Sequence, residues 1–206
     1  MKYDFEEKNK KFTTKKIVKA VIIWLVEIAL VIGLAFCIIH FAVEKTKVVG
    51  SSMDETLKDG DEVIIDKLSY HFNNPKRFDV IVYKQSNKEH SYYKFKRVIG
   101  LPGETVQIKD GVIYINGEVL EEKINVEPMN NAGLASEEVT LDENEYFVLG
   151  DNRNNSEDSR FANVGNIIRD EIVGKAWIKL HPFNFVSQLS TKTKDDTKDK
   201  VEENTP

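Results

Sequence analysis

The residues from Ala20 to Val43, AVIIWLVEIALVIGLAFCIIHFAV, leave few structural options open. As a helix this stretch extends about 36 Å, against roughly 30 Å of bilayer hydrocarbon. Glu27 is its one formal charge. An ionised group at the centre of a spanning helix costs roughly 3 kcal/mol. Leu, Ile, Val and Phe supply fifteen of the residues, each favouring insertion by roughly 0.3–0.6 kcal/mol. Insertion wins. The stretch is too long for the apolar core of a cleaved signal peptide, and EKTKVVGSS after it lacks an Ala-x-Ala site. A retained transmembrane helix over 20–43 is expected.

Charge on either side of this helix gives it a direction. Residues 1–19 hold seven lysines against Asp4, Glu6 and Glu7. That segment carries +4 and the remainder −9, within a net charge of −5. The positive-inside rule keeps the basic segment in the cytoplasm and places residue 44 onward outside it. Nothing in this balance points to nucleic acid as a partner. The single cysteine, Cys37, lies within the apolar stretch, so neither an intramolecular disulfide nor a cysteine-based metal site is available.

The outer part reads as mostly β. Short apolar runs recur as EVIID (62–66), FDVIVY (78–83), YYKFKRVI (92–99), TVQI (105–108), VIYI (112–115), EYFVL (145–149) and IVGKAWIKL (172–180). Asp110-Gly111 and Asn116-Gly117 are hairpin-turn signals, so VQIKDGVIYINGEVL predicts a three-stranded antiparallel meander. A short helical turn is expected near 163–170. Residues 121–144 are polar and weakly patterned, which predicts a loop. One domain is expected over 44–190, and a disordered charged tail over 191–206.

The adjacent serines in VVGSSMDETL (48–57) pose a chemical question. A serine hydroxyl needs a base to become a nucleophile. The four histidines, His40, His71, His90 and His181, sit in no recognisable triad context, and no G-x-S-x-G elbow is present. They also lack metal-ligand spacing such as H-E-x-x-H. A Ser–Lys pair is then open. Lysine can act as a base only when neutral, and at its ordinary pKa only about one in 2,500 is neutral at pH 7. Burial in an apolar strand lowers that pKa. Lys96, within YYKFKRVIGLPGE, has such a setting, although most strand lysines are simply solvated. The loop GDNRNNSEDSR (150–160), dense in Asn, Asp, Ser and Arg, follows the strand YFVL.

Taken in order, the anchor, GSSMDETL (50–57), RFDVIVY (77–83), YKFKRVIGLPGE (93–104) and GDNRNNSEDSR (150–160) resemble the bacterial type I signal peptidases in their single-anchor form. The resemblance covers most of the chain. It implies a β-rich catalytic domain that acts on exported preproteins carrying signal peptides, beside the lipid bilayer and without metal or organic cofactor. It implies that Ser52, immediately before Met53, is the nucleophile, so Ser51 is not. Lys96, immediately before Arg97, becomes the general base. Ser156 matches the serine whose hydroxyl orients that lysine. Asp151, Asp158 and Arg160 match positions that hold the site together. Val48, Met53, Leu57 and Phe95 match substrate-pocket positions, and the Ser52 N–H matches an oxyanion donor.

The chain departs from the family pattern at several places. Glu55 stands where proline is usual, Phe78 where glycine is usual in Arg-Gly-Asp, and Asn154 where aspartate is usual. Gly50 stands where some members place a serine that donates a second hydrogen bond. Two other readings remain: a self-cleaving Ser–Lys repressor protease, which the anchor disfavours, and a non-catalytic assembly factor for surface fibres, which the presence of both Ser52 and Lys96 disfavours.

Overall fold

A computed structural model describes residues 2–84, 92–122, 124 and 126–189. The charged tail over 191–206 lies outside them. The chain divides after Ala42 into two compact units. The first is helix α1 (Lys2–Ala42). No proline interrupts it, and long aliphatic residues lose little side-chain freedom in a helix. Its residues from Lys16 to Ala42 form the one helix among the described residues long and apolar enough to cross a membrane. Trp24, Leu25, Leu34 and Phe36 are exposed along it. The helix ends one residue earlier than the expected span, because Val43 pairs with Asp66 and enters the first strand.

The second unit is antiparallel β-structure, as expected. Its elements are β1 (Val43–Lys47), β2 (Glu62–Asp66), α2 (Ser69–Phe72), β3 (Val80–Tyr83), β4 (Lys94–Gly100), β5 (Thr105–Lys109), β6 (Val112–Ile115), β7 (Glu118–Val119), β8 (Val139–Thr140), β9 (Glu145–Leu149), β10 (Ile167–Ile168), β11 (Ile172–Lys179), β12 (Asn184–Phe185) and α3 (Val186–Leu189). One sheet runs β1-β2-β11-β3-β4-β9-β10, with β12 also paired to β11, and a smaller sheet runs β7-β6-β5-β8.

The smaller sheet contains the expected meander, extended by β8. Asp110 and Gly111 have φ of 51° and 78°, and Asn116 and Gly117 have 51° and 82°. Two successive positive φ values make the tight turns whose twist matches the flanking strands. The region near 163–170 meets the expectation in part: Val164 N–H and Gly165 N–H both donate to Phe161 O, at 3.0 and 2.9 Å, closing a short helical turn, but a strand follows it. Ile167 and Ile168 pair with Tyr146 and Glu145, and a 3-10 turn follows at Arg169–Glu171. An isoleucine pair joins a sheet edge readily because β-branched side chains pack well on a pleated surface.

Strand β3 explains how the main sheet is held. All four of its residues are buried. Val80 and Val82 join a core with Val48, Met53, Leu57 and Phe95. Ile81 and Tyr83 join another with Val98, Tyr146 and Ile172. Alternate side chains of one strand thus fill opposite faces of the sheet. A third core, built from Ile99, Val106, Ile113, Leu141 and Phe147, joins the smaller sheet to β4 and β9. These cores fix the segment after β1 against the middle of β4, and they hold the end of β9, from which the next loop departs.

Candidate active site

Residues 48–61 form a tight excursion between β1 and β2. Its neck closes through Val48 N–H to Asp61 O at 2.8 Å and Gly60 N–H to Val48 O at 2.9 Å. Gly50 has φ of +90°, a backbone conformation that a side chain disfavours. Beyond it the chain winds into a turn, with Thr56 N–H and Leu57 N–H both donating to Met53 O, at 2.7 and 2.6 Å. Met53 and Leu57 are buried in the core and pin this turn. The exposed Glu55 contributes no hydrogen bond to it. The turn therefore forms without the proline usual at that position, and Glu55 removes no bond.

The turn brings Ser52 to Lys96. The two are 44 positions apart in sequence, and Lys96 Nζ lies 2.5 Å from Ser52 Oγ. Lys96 is only 4% exposed. Burial pulls its pKa down from 10.5 to about 8, and the nearby Lys94 ammonium acts in the same direction. Asp158, Asp151 and Glu157 oppose that shift. Burial outweighs them because it disfavours the charged form of lysine directly.

Loop 150–160 seals the arrangement from the other side. Asn152 N–H donates to Ser52 O at 3.1 Å. Asn152 Nδ2 donates to Ser51 O at 3.0 Å and Asn155 Nδ2 to Ser51 Oγ at 2.9 Å. This close approach requires a glycine at 150. A β-carbon there would lie 2.2 Å from Ser156 Oγ and 2.5 Å from Ser52 O.

Two buried ion pairs support the loop. Arg97 grips Asp151 with two hydrogen bonds, Nε to Oδ1 at 2.7 Å and Nη2 to Oδ2 at 2.5 Å. Thr56 Oγ1 also donates to Asp151 Oδ2, at 2.5 Å. Arg160 binds Asp158 the same way, Nε to Oδ1 at 2.8 Å and Nη2 to Oδ2 at 2.9 Å. Arg160 Nη2 further donates to Arg153 O at 2.6 Å. Paired charges with this many hydrogen bonds are tolerated where isolated ones are not.

The expected site residues fall into distinct places. Ser52 and Lys96 meet directly. Asp151, Asp158 and Arg160 form the buried pairs just described. Ser156 Oγ donates to Asp158 Oδ2 at 2.8 Å, whereas the hydrogen bond of Lys96 Nζ runs to Ser52. Val48, Met53 and Phe95 line a cavity of about 270 Å³ together with Ser51, Ser52, Lys94, Lys96, Asn155 and Glu157. Leu57 is fully buried in the core behind and is not part of the cavity wall.

Sequence reasoning overlooked Thr56, Arg97, Gly150 and Asn155. Arg97 carried a usable signal: a guanidinium inside an apolar strand needs a carboxylate partner. The other three depend on contacts between distant segments.

The departures also have physical accounts. Phe78 has φ of +69°, in the region where glycine is favoured, and its ring packs on the third core. Asn154 accepts from Asn130 N–H at 3.0 Å and donates through Nδ2 to Pro128 O at 3.0 Å. A carboxylate could make only the first of these bonds.

The profile of the family described as signal peptidase, peptidase S26, matches residues 21–181. The signal peptidase I of Leptolyngbya laminosa is 42% identical over 168 residues, 79% of this chain and 80% of that protein. The signal peptidase I T of Bacillus subtilis (strain 168) is 37% identical over 192 residues, 89% of this chain and 98% of that protein. The crystal structure of a signal peptidase I from Enterococcus faecalis V583 matches with 36% identity and a TM-score of 0.40, covering 50% of this chain and 97% of that one. A profile match over most of the chain, joined by relatives of this identity along four fifths or more of their length, establishes that the chain belongs to the signal peptidase family, peptidase S26, and is a peptidase.

Proposed function

We propose that the chain is a membrane-anchored serine endopeptidase that removes N-terminal signal peptides from exported preproteins, cutting after a small residue. Ser52 is the nucleophile and Lys96 the general base. One observation carries this reading: a buried lysine with its pKa lowered to about 8 hydrogen-bonds a serine hydroxyl within a cavity.

The chemistry follows from the lysine. Neutral Lys96 Nζ accepts the Ser52 proton as Ser52 Oγ bonds to the scissile carbonyl carbon. The carbonyl π pair moves to oxygen. When that pair returns, the C–N bond breaks and Lys96 gives its proton to the leaving amine. An acyl-enzyme remains on Ser52. Lys96 then takes a proton from water, the hydroxide adds to the ester carbon, and Ser52 regains its proton as the signal peptide leaves.

Substrate binds as an added strand, so backbone hydrogen bonds give affinity and side-chain pockets give selectivity. Val48, Met53 and Phe95 present little surface, which suits the small side chains of an Ala-x-Ala-like site. Asp151 and Asp158, each neutralised by its arginine, hold the loop that fixes Ser52 and Ser156.

Helix α1 anchors the chain, with the lysine-rich segment in the cytoplasm and the catalytic unit on the outer side. Enzyme and preprotein then share one bilayer, which raises their effective concentration.

The test is product mapping. The full chain in lipid vesicles, given a preprotein with one Ala-x-Ala site, yields a single new N-terminus after the second Ala. Cleavage at scattered positions, or after large residues, contradicts the proposal.

A further inference from the structure

The cavity holds a second polar pair that the Ser52–Lys96 chemistry leaves unused. Asn155 Nδ2 donates to Ser51 Oγ at 2.9 Å, and both residues line the cavity beside Ser52. A serine hydroxyl has one proton and two lone pairs. With Asn155 on a lone pair, the Ser51 proton is directed elsewhere, and it meets no acceptor among the described residues. The Ser52 N–H likewise donates to no protein group among the described residues. Gly50 N–H, by contrast, is taken by Asp59 Oδ1 at 2.8 Å. Asn152 meanwhile holds the carbonyls of both Ser51 and Ser52. Two adjacent residues, rigidly held, thus bring unpaired donors to one cavity.

Acyl transfer needs such donors. As a nucleophile adds, negative charge collects on the carbonyl oxygen, and preorganised N–H or O–H groups stabilise it. Glycine at 50 offers no side chain for this purpose. We infer that the Ser51 hydroxyl, oriented by Asn155, is a second oxyanion donor beside the Ser52 N–H. The inference rests on reading Ser52 as the nucleophile. Ser51 donates a hydrogen bond and transfers no proton. Asn155 acts only through Ser51 and is a positioning residue.

The test uses the full chain in lipid vesicles and a fluorogenic signal-peptide substrate, comparing wild type, Ser51→Ala, Ser51→Thr, Asn155→Ala and the Ser51→Ala/Asn155→Ala pair. Removing one oxyanion donor costs a factor of about 100 or more at a buried site, and about tenfold is expected at this more open one. Ser51→Ala lowers kcat accordingly, with KM within a factor of about two. The pH at which activity rises stays put, because no charge is altered. Ser51→Thr, which keeps the hydroxyl, recovers most of the rate. The double variant is no slower than Ser51→Ala, since Asn155 has nothing left to orient. A Ser51→Ala enzyme with wild-type kcat overturns the inference. Losses that multiply in the double variant overturn the role given to Asn155. Ser52→Ala in the same series separates the two readings. If it still cleaves, the nucleophile assignment fails; if it is dead while Ser51→Ala is normal, only the second donor fails.

Discussion

Lys96 Nζ and Ser52 Oγ stand 2.5 Å apart, and the lysine is almost wholly buried. Those facts set the pH dependence. The base works only when neutral, and its pKa is lowered from 10.5 to about 8. Activity is therefore lost as pH falls through that value and gained as it rises. A plot of log kcat/KM against pH should climb with a slope of about one and level off above pH 8. A limb near 10.5 would mean that burial leaves the lysine unperturbed.

The Arg97–Asp151 pair predicts an asymmetry. Asp151→Ala strands a buried guanidinium and should destabilise the catalytic unit by about 3–5 kcal/mol. It also deprives Thr56 of its acceptor. Replacing both partners, Arg97→Met with Asp151→Leu, should cost less than Asp151→Ala alone, because no charge is left unpaired. Denaturant unfolding of the three proteins checks this.

Gly150→Ala should disable the enzyme without adding bulk to the cavity itself. The new methyl collides with Ser156 and with the Ser52 carbonyl. Displacing reacting groups by about 1 Å costs on the order of 100-fold in rate, and a loss of that size in kcat/KM is expected. Wild-type turnover in this variant would show that the loop relaxes freely.

Phe78 combines a strained backbone with a packed ring. Phe78→Ala removes the packing and keeps the strain of the positive φ, whereas Phe78→Gly removes the packing and the strain together. The glycine variant should be the more stable of the two by about 1 kcal/mol. Thermal unfolding of the pair isolates the backbone term.

How much of this was legible beforehand depended on the range of the forces involved. Local patterning showed the strands at 62–66, 112–115 and 145–149, because alternation and turn residues are local signals. It missed Val43–Lys47, whose polar residues become a strand only by pairing with Glu62–Asp66. Lys96 stood out as a lysine in an apolar strand. Choosing Ser52 over Ser51 needed the family resemblance, since both hydroxyls sit in the same peptide. Thr56 and Gly150 were illegible because their roles depend on contacts reaching nearly one hundred residues along the chain.

The most direct test of the central claim compares wild type, Ser52→Ala and Lys96→Ala on a fluorogenic peptide whose signal portion ends in Ala-x-Ala. Each variant is first shown to be folded by its thermal unfolding. The account predicts cleavage by the wild type and a loss of at least about 1,000-fold in both variants, since removing either half of such a pair disables the whole. A folded Lys96→Ala protein that cleaves at the wild-type rate would contradict it.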